Sequence, residues 1–202
     1  MKIKIVGICY NEERMIPLWH DWYKDRFSDI EFTIYDNFST DKSVSIAKDL
    51  SIEIIQFDTN NKFDDRKHRE IRNTNFNCGF VIVGDLDEHL NLCEHDIEQE
   101  VGNVIRTRAY DMFDSCEGVR NMHMDKSICF DSSVITMNYD YGGHNNLISS
   151  KTALKWSKKV YELHHQKYIF GEDYYVERCK MYADRFEEWN KSVGHGFIYF
   201  KE

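Results

Sequence analysis

The chain has 202 residues, 42% of them hydrophobic and 14% aromatic, which is enough apolar mass for one core of ordinary domain size. Its formal net charge of -9 and pI near 5.5 offer no general attraction for polyanions, and no basic stripe of the nucleic-acid-binding kind is visible. One proline, ten glycines and no apolar run of transmembrane length argue against a disordered, linker-rich or membrane-spanning chain.

Residues 2–9 alternate as a strand does and lack the long apolar stretch and cleavage site of a secretory leader, so a cytoplasmic location is expected. The six cysteines form no Cys-x-x-Cys pair and read as free thiols. Residues 14–27 predict a helix with Ile16, Trp19, Trp22, Tyr23 and Phe27 on its apolar positions and Pro17 in the first turn, where a proline is tolerated. A second strand is expected at 31–35, and Ser39-Thr40-Asp41 supplies cap chemistry for a helix to about Leu50. A strand at 52–57, a helix at about 66–76 and a strand at 80–84 follow. This alternation implies an α/β fold with a mostly parallel central sheet and helices on both faces. Beyond Glu88 the pattern loosens, with short strands expected near 103–109, 127–130 and 134–138. A helix is expected at 172–188, where Tyr175, Val176, Cys179, Tyr182 and Phe186 recur at three- to four-residue spacing. No repeat or linker interrupts the chain, which reads as a single domain over 1–202.

Asp85-Leu86-Asp87-Glu88 directly follows the apolar run Phe80-Val81-Ile82-Val83-Gly84. That places carboxylates at the carboxyl end of a buried strand, the edge where open α/β sheets bind ligands. Carboxylates one residue apart suit a hard divalent cation whose other ligands are phosphates and water. An Asp-rich turn that merely ends a strand has the same composition. Asn11-Glu12-Glu13 follows the first strand and Asp36-Asn37-Phe38-Ser39-Thr40-Asp41 the second, so three loops are expected to converge on one crevice.

In this order and spacing the chain resembles the family 2 glycosyltransferases of GT-A fold, whose second-strand loop reads Asp-x-x-Ser-x-Asp and whose metal site is Asp-x-Asp. It is more similar still to the small bacterial and viral branch in which the metal motif continues into Glu. The resemblance resumes with Met124-Asp125-Lys126, Gly142-Gly143-His144, Leu163-His164-His165 and Glu172-Asp173-Tyr174-Tyr175-Val176-Glu177-Arg178. It implies a donor-binding half over about 1–90 and an acceptor and catalytic half over about 91–202.

The resemblance also implies residue roles. Asn11, Glu12 and Asp36 would hold the nucleoside, since carboxylates accept hydrogen bonds from ribose hydroxyls and base edges; Asp36, Asn37 and Ser39 equally suit a turn and helix cap. Asp85 would face the ribose or a metal-bound water, and Asp87 would ligate Mn²⁺ or Mg²⁺ at the diphosphate. Arg72 would approach the diphosphate, although Arg66, Lys67, Arg69 and Arg72 also read as a solvated helix face. Lys126 and His144 would lie on the acceptor side. A histidine from the second half would complete the metal site; adjacent strand residues face opposite ways, so one of His164 and His165 binds, and His164 is the choice. Asp173 would be the general base for an acceptor hydroxyl, with Glu172 next in line, while both also suit the dipole of a helix start. The implied activity is a metal-dependent, inverting transfer of a sugar from a nucleotide-diphosphate donor to a glycan, lipid-linked glycan or protein. A modified nucleic-acid base is a less favoured acceptor. A non-catalytic sugar-nucleotide-binding protein is an alternative from another class. A metal-dependent phosphohydrolase is disfavoured, because hydrolysis does not need three nucleoside-type loops.

Overall fold

A computed structural model of the chain describes residues 2–114, 117–143 and 146–193. In chain order the first half comprises β1 (Ile3–Cys9), α1 (Met15–Lys24), β2 (Ile30–Asp36), α2 (Ser43–Asp49), β3 (Glu53–Gln56), α3 (Asp65–Arg72) and β4 (Phe80–Asp85). The second half comprises β5 (Glu88–Asn91), α4 (Glu94–Glu98), β6 (Asn103–Met112), β7 (Gly118–Arg120), β8 (Cys129–Asp131), β9 (Ile135–Tyr139), β10 (Asn146–Ser150), β11 (Lys155–His165), α5 (Glu172–Arg185) and α6 (Glu188–Ser192). The main sheet runs β3-β2-β1-β4-β8-β6-β11-β5, with β7 paired to β6, and β9 and β10 form a separate antiparallel pair.

Period-two patterning gives β1 and β4 two apolar faces. Ile3, Ile5, Phe80 and Ile82 pack with Met15, Ile16, Trp19 and Tyr23 of α1, whereas Val6, Val81 and Val83 pack with Ile135, Met137 and Tyr139 of β9. Strands buried on both sides are what a parallel α/β sheet requires, and each such side chain contributes roughly 1.5–3 kcal/mol on burial. Parallel pairing aligns Cys9 with Asp36 and Ile8 with Asp85, so the loops after β1, β2 and β4 emerge at one edge. Gly7 lets the last of these loops close. A Cβ there would lie 2.5 Å from Leu86 Cδ2, so a side chain would expel Leu86 from its seat between the two acidic positions.

The second half attaches mixed pairings to this parallel core: β8 is antiparallel to β4, β6 is parallel to β11, and β5 is antiparallel to β11. The last pairing sets His165 opposite Glu88 and His164 opposite His89, which carries the far end of β11 to the acidic loop. The sequence pointed to a strand only at the end of β11, His164 and His165, and not to its full length over Lys155–His165. Its lysines and a bulge between Trp156 and Val160 blur the alternation. The short elements β5, β7, β10 and α4 were also unforeseen. The helix expected at 66–76 ends at Arg72, and the one expected at 172–188 ends at Arg185, where Phe186 takes extended backbone (φ -61°, ψ 124°) before α6 begins. No helix among the described residues is long and apolar enough to cross a membrane.

Candidate active site

A cavity of about 690 Å³ opens at the shared loop edge, walled by the β1 and β4 loops, by α3, by the segment around Lys126 and by α5. Asp85, the last residue of β4, accepts from Arg72 Nη2 at 2.6 Å, and Lys126 Nζ lies 3.7 Å from its other oxygen. Burial opposes ionisation of Asp85, but the Arg72 and Lys126 charges overcome it and hold the carboxyl down at about 2. Lys126 also pairs with Glu88, whose Oε2 accepts from the Asp85 backbone N–H at 3.1 Å. Burial pushes the Glu88 carboxyl up, and Asp85 and Asp87 add to that against the pull of Lys126.

Two residues away, Asp87 Oδ2 accepts from Arg178 Nη1 at 3.0 Å and lies 3.3 Å from His165 Nε2. Burial alone would raise this carboxyl; Arg178 and His165 hold it well below the usual range. The other ring nitrogen of His165 meets Asp111 Oδ1 at 2.8 Å. Burial works against the imidazolium, yet Asp87 and Asp111 hold its pKa up at about 9, so both ring nitrogens donate to carboxylates at neutral pH. Arg178 Nη2 reaches in addition to Glu12 Oε1, which accepts from Tyr182 Oη at 2.9 Å. One guanidinium thereby ties the β1 loop and the β4 loop to α5. Burial raises the Glu12 carboxyl despite Arg178, and Glu12 Oε2 and Arg178 Nε have no hydrogen-bond partner among the described residues.

Of the residues expected at the site, Glu12, Arg72, Asp85, Asp87 and Lys126 line the cavity. Asn11 and Asp36 do not. The Asn11 side-chain oxygen accepts from the Thr40 and Asp41 backbone N–H groups at 2.7 and 3.3 Å, and Asp36 accepts from the Ser39 hydroxyl and backbone N–H. Asn11 staples the β1 loop to the β2 loop, and Asp36 closes the turn that follows β2, which is turn and cap chemistry. His164, the residue chosen for the metal, is not on the cavity wall, whereas its neighbour His165 is. His164 meets Glu162 Oε2 at 3.0 Å and packs against Trp22 on the opposite face of β11, because pairing with β5 turns His165 toward Asp87. Glu172 and Asp173 occupy the exposed first turn of α5 and are not on the cavity wall. His144 lies outside the described residues.

Sequence reasoning gave no role to Tyr10, His68, Asp111, Lys167, Arg178, Tyr182 or Arg185. A signal existed for three of these: 178, 182 and 185 fall on one face of a helix, and that face closes the cavity.

Among the described residues no group of three or more His, Cys, Asp or Glu side chains is arranged to hold a metal ion. A cation of the Mg²⁺ or Mn²⁺ type needs only one or two carboxylates when phosphate and water fill its other positions, and Asp85 and Asp87 are carboxylates of that kind on the cavity wall. Ligation by His165 would require loss of the proton its two carboxylates now hold.

The element order, the sheet and the loop-edge cavity define the GT-A fold. No protein-family model and no curated protein matches the sequence. Solved structures do match. S. aureus TarS 1-349 superposes with a TM-score of 0.51 at 14% identity, covering 92% of this chain and 65% of that one. A longer S. aureus TarS chain gives 0.52 at 15% identity, with coverages of 91% and 39%. TarS 1-349 in complex with UDP-GlcNAc gives 0.51 at 13% identity, with coverages of 92% and 66%. The chain spans less than two thirds of each of these, and at such identities the likeness is one of fold.

Proposed function

We propose that the chain is a nucleotide-sugar glycosyltransferase that works with a divalent cation, Mg²⁺ or Mn²⁺. One observation carries this reading: Asp85 and Asp87 face a cavity at the loop edge of a GT-A sheet, with Arg72, Lys126 and Arg178 beside their carboxylates. Carboxylates suit a hard cation, and guanidinium and ammonium groups suit the phosphates of the same ligand. The similarity to TarS, solved with UDP-GlcNAc, supports the donor class. When bound, the cation would neutralise charge that builds on the departing diphosphate. Asp87, with Asp85, would hold it, while Arg72 and Lys126 would orient the phosphates.

Asp173, with Glu172 as second choice, is kept as the general base, for an acceptor that reaches the exposed first turn of α5. Its hydroxyl would attack the anomeric carbon from the face opposite the nucleotide and invert it. A glycan, lipid-linked glycan or protein acceptor suits a chain of net charge -9 better than a nucleic acid. The test is incubation with labelled nucleotide sugars of differing base and Mn²⁺, reading nucleoside diphosphate release and the fate of the sugar. Transfer to an added acceptor, or release of free sugar when water replaces it, supports the reading. A protein that neither binds nor consumes any nucleotide sugar overturns it.

A further inference from the structure

The cavity has one wall that the reading above leaves without a task. It is built from Tyr10, Asn37, Phe63, His68, Arg185 and Phe186. Phe63 and Phe186 stack with their planes 10° apart, and the Phe63 backbone N–H donates to the Arg185 carbonyl at 2.7 Å, so the end of α5 is fixed against the loop before α3. The Arg185 guanidinium lies over the Tyr10 ring, with Cζ 3.0 Å from the centroid. Its Nε donates to Asn61, at 3.3 Å to the carbonyl and 3.2 Å to the side-chain oxygen.

Arg185 is only 6% exposed, yet its Nη2 has no hydrogen-bond partner, and no carboxylate pairs with it among the described residues. Buried donors are ordinarily satisfied. A guanidinium has donors only, so this wall lacks an acceptor. Arg185 is seven residues beyond Arg178, roughly 10 Å along the helix at 1.5 Å per residue, which sets it apart from Asp87, the carboxylate that Arg178 holds. A nucleotide with its phosphates beside Arg72 and Lys126 would extend its base toward this wall. Asp36 is committed to Ser39 and does not compete for that task.

We propose that Arg185 reads the nucleobase of the donor by donating to a carbonyl oxygen on it. The inference rests on the nucleotide-sugar reading. Adenine is the one standard base without a carbonyl, and its exocyclic amine would set donor against donor at the guanidinium. Stacking on Tyr10 holds the guanidinium flat, so the selection follows from a fixed fork of donors.

The test is calorimetric titration of the full chain with UDP, CDP, GDP, ADP and inorganic pyrophosphate, for wild type, Arg185→Gln and Arg185→Lys. At least one carbonyl-bearing nucleotide should bind wild type about tenfold or more tightly than ADP, the worth of one buried hydrogen bond. Arg185→Gln should erase most of that preference, Arg185→Lys should retain part of it, and pyrophosphate affinity should stay within about twofold of wild type, since it makes no base contact. Equal affinity of wild type for ADP and the other nucleotides overturns the inference, and needs no variant to fold. Parallel loss of pyrophosphate affinity in Arg185→Gln also overturns it, placing Arg185 at the phosphates. Absence of all nucleotide binding by wild type sinks the transferase reading itself, and is distinguishable from either result.

Discussion

Asp87 Oδ2 receives both Arg178 and His165, so the charge of one carboxylate is shared between α5 and β11. Asp87→Asn keeps the shape and removes the charge, while Arg178 retains Glu12. Nucleotide binding by wild type should weaken on addition of EDTA, and that of Asp87→Asn should not change; turnover by the variant should be lost. Full turnover by EDTA-treated wild type would show that no cation is needed. The two adjacent histidines give a paired control. His165 has a folded-state pKa of about 9, above its ordinary 6.5, so its stabilisation is complete below about 6.5 and lost as pH rises through about 9. The stability gap between wild type and His165→Gln should therefore be largest at mildly acidic pH, on the order of 3 kcal/mol, and should close in alkali. Denaturant titrations across pH read this directly. His164→Gln should leave nucleotide binding as it was, since His164 faces Trp22 and not the cavity.

At the scale of elements, α5 has two functions that separate along its length. Its face of Arg178, Tyr182 and Arg185 closes the cavity, whereas Glu172 and Asp173 stand exposed in its first turn. If Asp173 is only a partner of the helix dipole, Asp173→Asn should cost about 0.3–1 kcal/mol of stability and spare turnover. If it is the general base, turnover should fall about 10²- to 10⁴-fold with donor affinity unchanged. Steady-state rates beside a donor-binding measurement decide between the two. The placement of β11 matters as much as that of α5: its pairing with β5 decides which histidine meets the acidic loop, and a slip of one residue would exchange them.

For the whole molecule, charge sets an expectation about the acceptor. A net charge of -9 disfavours duplex nucleic acid as partner, although a local basic groove would be enough to bind it. Binding to duplex DNA should therefore be weak and without steep salt dependence. Tight binding that falls sharply between low and physiological salt would mark phosphate contacts through counterion release and return a nucleic-acid base to consideration.

The sequence by itself determined the parallel half of this molecule. Alternating apolar residues in 3–9 and an unbroken apolar run at 80–84 specify strands buried on both faces, and Asp85 and Asp87 at the end of such a run must face the loop edge. Local patterns are enough there because each strand's burial depends on its own residues. Tertiary structure alone decided the rest. Whether Asp36 reads a ligand or ties a turn depends on Ser39 being folded back onto it. Whether His164 or His165 meets Asp87 depends on the register of β11 against β5, set by residues more than 70 positions apart. Arg178 reaches Glu12 across 166 positions of chain. Contacts of that separation leave no periodic trace in a single sequence, because neither partner alters the local pattern around the other.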